Sequence, residues 1–168
     1  GFDPKGHAGK ALLHVLENFP RDEMVQIDPD QLTQVALGLL SLIDRPRPKL
    51  FLRRDRFERY VSVLCCIPRD LYRSDIRVTV GRMLSAAFQA RVSLFSVELR
   101  DDPVARIHFI LGTTPGSVPQ VDEHDLDRRL RALVLGWDDQ LETALAEILG
   151  EARAARLRLS HGRMLSAS

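Results

Sequence analysis

Arg106 and His108 are the residues of this chain whose types and spacing come closest to a chemical purpose. Two positions apart on a strand, they project from one face. An arginine fork beside an imidazole can bind a single carboxylate, the guanidinium gripping both of its oxygens. The competing reading makes them the solvated face of an edge or central strand. Other combinations are thinner. His14 and Glu17 lie three apart on a helix, and Glu123-His124-Asp125 gathers oxygen and nitrogen ligands, but neither set has the partners that a closed metal site needs. Gly6-His7-Ala8-Gly9-Lys10 has a glycine pair and a lysine, with the wrong spacing for a phosphate loop and no strand before it. Neither a dinucleotide fingerprint nor a nucleophile elbow is present, and no matched acid and base can be nominated for hydrolysis or proton transfer. These residues are therefore expected to hold no catalytic, cofactor or metal site.

Composition narrows the classes further. The 168 residues carry a formal net charge of +1, suit one ordinary domain with a tail or two small ones, and include no apolar run long enough to cross a bilayer. The opening Gly1-Phe2-Asp3-Pro4-Lys5-Gly6 reads as an internal cut, which makes the chain a fragment by expectation. Cys65 and Cys66 are neighbours on a strand and face opposite ways, so they form no disulfide framework and suit a reducing cytoplasm. Seven basic residues crowd one interval: Arg45, Arg47, Lys49, Arg53, Arg54, Arg56 and Arg59. A nucleic-acid patch would need them on one face with aromatics interleaved. Alternation sends Arg53 and Arg54 to opposite faces, and Asp55 and Glu58 interrupt the run, so a solvated hairpin tip is the favoured reading, with no nucleic-acid or membrane partner.

The elements that would position these residues follow from periodicity. Leu12, Leu13, Leu16 and Phe19 mark a helix from about Lys10, stopped by Pro20. Met24-Val25-Gln26-Ile27 is a short candidate strand. Asp28-Pro29-Asp30-Gln31 then supplies a cap, a proline at the first helical position and a glutamine two residues later, before an apolar stripe of Leu32, Val35, Ala36, Leu39, Leu40 and Ile43. The stretch from Leu50 to Tyr72 alternates with a period of two on either side of Asp55-Arg56-Phe57-Glu58 and predicts a hairpin. Ser74 can cap a helix whose buried face is Ile76, Val80, Met83, Leu84 and Ala87, with Arg91 near its end. Phe95, Val97 and Leu99, then Ala105, Ile107, Phe109 and Leu111, predict two strands joined at Asp101-Asp102-Pro103, each with one buried and one polar face. From Asp122 onward Leu126, Leu130, Leu133, Trp137, Leu141, Ala144 and Ile148 stripe a long helix. Asp122, Glu123, Asp125 and Asp127 favour its start and Arg153, Arg156 and Arg158 its end, while Gly136 and Gly150 are expected to weaken or break it. Six of these elements spell the split β-α-β order of ferredoxin-like domains, an α+β fold whose helices cover one face of an antiparallel sheet and leave the other free.

Several of the same segments carry a family resemblance. Leu50-Phe51-Leu52-Arg53-Arg54-Asp55, Phe57, Arg59-Tyr60-Val61-Ser62 and Pro68-Arg69-Asp70 resemble the non-catalytic N-terminal half of the large bacterial NAD-specific glutamate dehydrogenases. Leu13-His14-Val15-Leu16-Glu17-Asn18-Phe19-Pro20-Arg21-Asp22-Glu23 is similar to the segment before that hairpin, and Ala105 to Ile110 and Trp137-Asp138-Asp139-Gln140-Leu141 fit downstream. The resemblance implies ACT-like modules ahead of a catalytic region, with residues 1–22 as a helical lead-in, 23–113 as the ACT-like domain and 114–168 as a linker and long connecting helix. It implies oxidative deamination of glutamate with NAD for the parent, by residues that have no counterpart here. It further implies amino-acid binding where ACT modules meet, which makes Arg106 and His108 the candidates for an effector or an interface. Ligand-binding ACT domains usually place a glycine in the turn between first strand and first helix. Asp28-Pro29-Asp30 has no glycine and two acids that repel a carboxylate, so assembly with other modules or with a second copy is favoured over sensing.

Overall fold

In the computed structural model, residues 6–150 and 155–160 are described. The chain falls into two compact units with the boundary after Arg131. In the first, three helices, α1 (His7–Glu17), α2 (Arg21–Gln26) and α3 (Pro29–Asp44), precede the hairpin β1 (Lys49–Arg54) and β2 (Tyr60–Pro68). After a short 3-10 turn come α4 (Ser74–Phe88), β3 (Arg91–Glu98), β4 (Val104–Gly112) and the start of α5 (Glu123–Leu149). The four strands form one sheet in the order β1-β2-β4-β3, and every neighbouring pair is antiparallel. The fold is α+β, an antiparallel sheet with helices, followed by a long helical segment.

One predicted strand is a helix. Met24-Val25-Gln26-Ile27 belongs largely to α2, because Pro20 sits at the N-cap position and Asp22 and Glu23 occupy the first turn. The apolar run misled the period: Val25 is 87% exposed, while Glu23 and Ile27, four apart, are the residues that turn inward. The strand predicted over 24–27 is thus absent among the described residues, and β4 occupies the inner place beside β2.

The register sorts the side chains into two faces. Val61, Val63, Cys65 and Ile67 share one with Ala105, Ile107, Phe109 and Leu111. Helix α4 packs there: a Cβ added to Gly81 would make an ordinary van der Waals contact with the Phe109 ring at 3.5 Å, and Arg54 lies over Phe88. On the opposite face Leu64, Cys66, Val104 and Phe51 form a core with Val15 and Phe19 at the end of α1 and Val35, Ala36, Leu39 and Leu42 of α3. The expected free face is therefore filled. Alternation identified polar residues on that side of β4 and assigned them to solvent, whereas the segment from α1 to α3 folds over them.

Local signals explain the frame. Asp28 caps α3, accepting from Asp30 N at 3.2 Å and Gln31 N at 3.4 Å. Gln31 does not close a capping box; its Nε2 donates to Leu52 O at 3.0 Å. Ser74 begins α4 without a side-chain cap, and Arg91 opens β3, since the helix ends at Phe88 with Gln89 in the left-handed region. In the second unit α5 runs through Gly136 and stops before Gly150, whose φ of 75° an L side chain rarely adopts. Residues 155–160 are helical, and Arg158 lies 3.5 Å from Glu142. Arg153 and the opening Gly1-Phe2-Asp3-Pro4-Lys5 lie outside the described residues.

Candidate functional site

Helix α2 lays Glu23 over the face of the sheet that carries Arg53 of β1, Ser62 of β2 and Arg106 and His108 of β4. Glu23 and Arg53 meet as a two-pronged ion pair, Arg53 Nε to Glu23 Oε2 at 2.6 Å and Arg53 Nη2 to Glu23 Oε1 at 2.7 Å. Both side chains are 8% exposed. The Glu23 hydrogen bonds hold the Arg53 guanidinium well above its ordinary pKa against the opposing effect of burial. Arg53 also donates to Tyr60 Oη at 3.1 Å, and Tyr60 in turn donates to Gln26. The expectation of a solvated tip fails for Arg53, because a helix unrecognised in the sequence brings it a buried carboxylate.

Arg106 and His108 lie side by side on the inner strand β4, beneath the α1–α2 corner. Arg106 is 5% exposed, and its Nη2 reaches Asp102 Oδ2 at 3.1 Å while its Nε is buried without a partner among the described residues. Asp102 also meets His14 Nε2 at 3.2 Å, tying the β3–β4 turn to α1. His108 Nε2 shares a 2.7 Å hydrogen bond with Ser62 Oγ and stands 3.8 Å from Glu23 Oε1. Burial pushes the imidazole below its usual pKa, with Glu23 pulling the other way. The two crevices beside these groups each have room for about one water molecule.

Serine, histidine and glutamate in contact invite comparison with a nucleophilic triad. The geometry refuses it. A triad needs the acid on one imidazole nitrogen and the nucleophile on the other, but here Ser62 and Glu23 both approach Nε2. Glu23 is further committed to Arg53 through both oxygens. What the arrangement does is electrostatic and structural: it stitches α2 to three strands. The cysteines are equally quiet. Burial pushes the Cys66 thiol up to about 12 and raises that of Cys65 well above its ordinary value, so neither is a nucleophile at neutral pH.

Three further basic residues of the hairpin also have partners, while Arg56 stays exposed over the Phe57 ring. Arg54 donates to Pro119 O at 2.7 Å, and Arg59 binds Asp55 through Nε at 2.8 Å, which lowers the Asp55 carboxyl to about 2. Lys49 reaches Asp127 Oδ2 at 2.5 Å, and Asp127 Oδ1 accepts the backbone N–H of Leu50 at 2.8 Å. Asp127 thus does more than complement a helix dipole, and Glu23 and Asp102 are the other acids whose role the sequence reading missed. An acid four residues before an inward Ile27 was the available clue for Glu23; Asp127 and Asp102 had none. Glu123-His124-Asp125 carries an Arg128 contact at 2.9 Å from Asp125, and no cluster suited to a metal ion occurs among the described residues. No helix among them is long and apolar enough to cross a membrane.

Comparison with known proteins gives this arrangement its context. Residues 49–138 match the glutamate dehydrogenase ACT2 domain, and residues 1–45 match glutamate dehydrogenase helical motif 1. The chain is similar to the NAD-specific glutamate dehydrogenase of Halomonas elongata, with 39% identity across 97% of its own length. It is similar to those of Pseudomonas aeruginosa, at 32% across 94%, and Mycobacterium tuberculosis, at 30% across 90%. It spans about 10% of the length of each of these relatives. With its sheet under the ACT2 match and α1 to α3 under the helical motif, the chain belongs to the glutamate dehydrogenase family.

Proposed function

We propose that this chain is a non-catalytic ACT-like assembly module of an NAD-specific glutamate dehydrogenase, a parent that converts L-glutamate, NAD and water to 2-oxoglutarate, ammonia and NADH. Catalysis and NAD binding belong to other regions of that parent. The partners are its other modules and a second copy of the chain, in a reducing cytoplasm that suits the two buried thiols. The observation that carries the reading is the internal pairing of the candidate site: Arg53 is bound by Glu23 and Arg106 by Asp102. A ligand carboxylate would have to displace a buried carboxylate from a crevice the size of a water molecule.

The rival reading is an allosteric module that senses an amino acid through Arg106 and His108, and the same crevice is where it would act. Thermal denaturation of the chain against a panel of amino acids separates the two. A binder present at 100 times its Kd would stabilise the fold by about 2.7 kcal/mol. An unchanged melting temperature with glutamate and the other amino acids at millimolar concentration is expected; a rise that grows with concentration, and disappears in Arg106→Met, would replace assembly with sensing.

A further inference from the structure

The tip of the β1–β2 hairpin is held more firmly than a solvated turn requires. Glu58 N donates to Asp55 O at 3.0 Å, closing a tight turn. Glu58 has a φ of 56°, in the left-handed region that residues other than glycine seldom enter. Tertiary hydrogen bonds fix it there. Thr113 Oγ1 donates to Glu58 O and Gly116 N to Glu58 Oε2, each at 2.6 Å, and Thr113 N donates to Arg59 O at 3.0 Å. A glycine would adopt this φ freely but would bring no carboxylate to accept from Gly116. Asp55, 5% exposed, secures the next residue by accepting from Arg59 N at 3.1 Å and Arg59 Nε at 2.8 Å.

What this frame holds out is Phe57, 62% exposed. A single exposed aromatic residue is ordinary; its setting is not. The guanidinium carbons of Arg59 and Arg56 lie 5.2 Å and 5.8 Å from the centre of its ring, within cation–π range. Aromatic residues and arginine are the types that carry most of the energy of protein interfaces. Holding them in place beforehand removes part of the ordering cost of association. The acids of the tip are already committed, Asp55 to Arg59 and Glu58 to the Gly116 N–H. Arg56 is left, among the described residues, with the Phe57 ring and no carboxylate.

We infer that the hairpin tip docks into another module of the parent polypeptide, Phe57 filling an apolar pocket and Arg56 meeting a carboxylate on the rim of that pocket. Charge selects the occupant. A second copy arriving tip to tip would set Arg56 against Arg56, whereas an acidic rim complements it and satisfies its donors. The chain spans about 10% of the length of its relatives, so most of the surface open to the tip belongs to modules outside these residues. The inference rests on the assembly reading and names the contact and the chemistry of its partner.

Hydroxyl-radical footprinting of the full-length parent dehydrogenase tests it. Phe57 should be oxidised about tenfold more slowly in the native parent than in the urea-unfolded one, because a docked anchor is sealed from water. Its 62% exposure in this chain supplies no such shielding. Arg56→Glu sets like charges against each other at the rim and should raise the labelling of Phe57 in the native parent about tenfold. Arg56→Lys keeps the charge and adds an amine, which carbodiimide should join to an Asp or Glu outside the 168 residues of this chain. Circular dichroism confirms that each variant is folded. Phe57 labelled as fast in the native parent as in the unfolded one, labelling that Arg56→Glu does not move, no cross-link, or cross-links confined to these 168 residues in the same or a second copy would overturn the docking. A bare Phe57 refutes this contact alone and leaves assembly to other surfaces, whereas a thermal response to an amino acid refutes the assembly reading and leaves the footprint of the tip unchanged.

Discussion

The two edges of the sheet are treated in opposite ways. At β1, the outward N–H of Leu50 is taken by Asp127 and the outward carbonyl of Leu52 by Gln31, while Glu23 holds Arg53 from above. At β3 the edge backbone keeps no partner beyond β4 among the described residues, and apolar side chains stand in solvent. An open row of backbone groups is a template for another strand, and folds usually blunt it. Closing one edge with side chains from α2, α3 and α5 while leaving the other bare restricts growth of the sheet to one direction.

This contrast also marks what could be read from the sequence. The hairpin, the alternation of β3 and β4, the capped α3 and the striped α5 all follow from contacts within a few residues, and they were legible. The closed edge was not, because Leu50 and Asp127 are 77 positions apart and an acid near the start of a helix already has a sufficient local reason. Likewise Arg106 and His108 were recognised as a pair on one face, but their cover came from α2, where three apolar residues among four, Met24 to Ile27, hid a six-residue helix. A polar residue on a strand announces solvent only if nothing folds over it. Glu23, Arg53, Asp102 and Arg106 show a fold neutralising buried charges pairwise, a pattern that depends on tertiary proximity and leaves no periodic trace.

The closed side should be the costly one to disturb. Glu23→Ala strands the Arg53 guanidinium in a buried site, and loss of one partner of such a pair is worth about 3–5 kcal/mol. Urea denaturation should show that drop, and pairing Glu23→Leu with Arg53→Met should recover most of it, because the double variant leaves no uncompensated charge. If the single and double variants lost the same stability, the pair would be acting through packing and not through charge.

A smaller loss is expected at the strand edge itself. Asp127→Ala removes the acceptor of the Leu50 N–H and the partner of Lys49 together. An unsatisfied buried backbone donor costs about 1–3 kcal/mol. The sharper consequence is association: with its cover gone, β1 becomes a second open edge, and light scattering should reveal larger species than the unaltered chain forms. A destabilised variant that assembles no further would mean that Asp127 supports the strand without guarding it.

At the bare edge the same scale of change should scarcely register in folding. Leu94→Lys replaces a side chain that is 65% exposed, and surface substitutions of this kind usually shift stability by no more than about 0.5 kcal/mol. The measurement has to be made at a protein concentration low enough to keep the chain monomeric, because association by itself raises apparent stability. At high concentration the variant should differ from the parent sequence, since a lysine on an edge strand opposes pairing. Stability that depends on concentration in the parent and not in Leu94→Lys would tie the exposed leucine to association. A loss of several kcal/mol in the monomer would instead place Leu94 within the fold's own core and remove the distinction between the two edges.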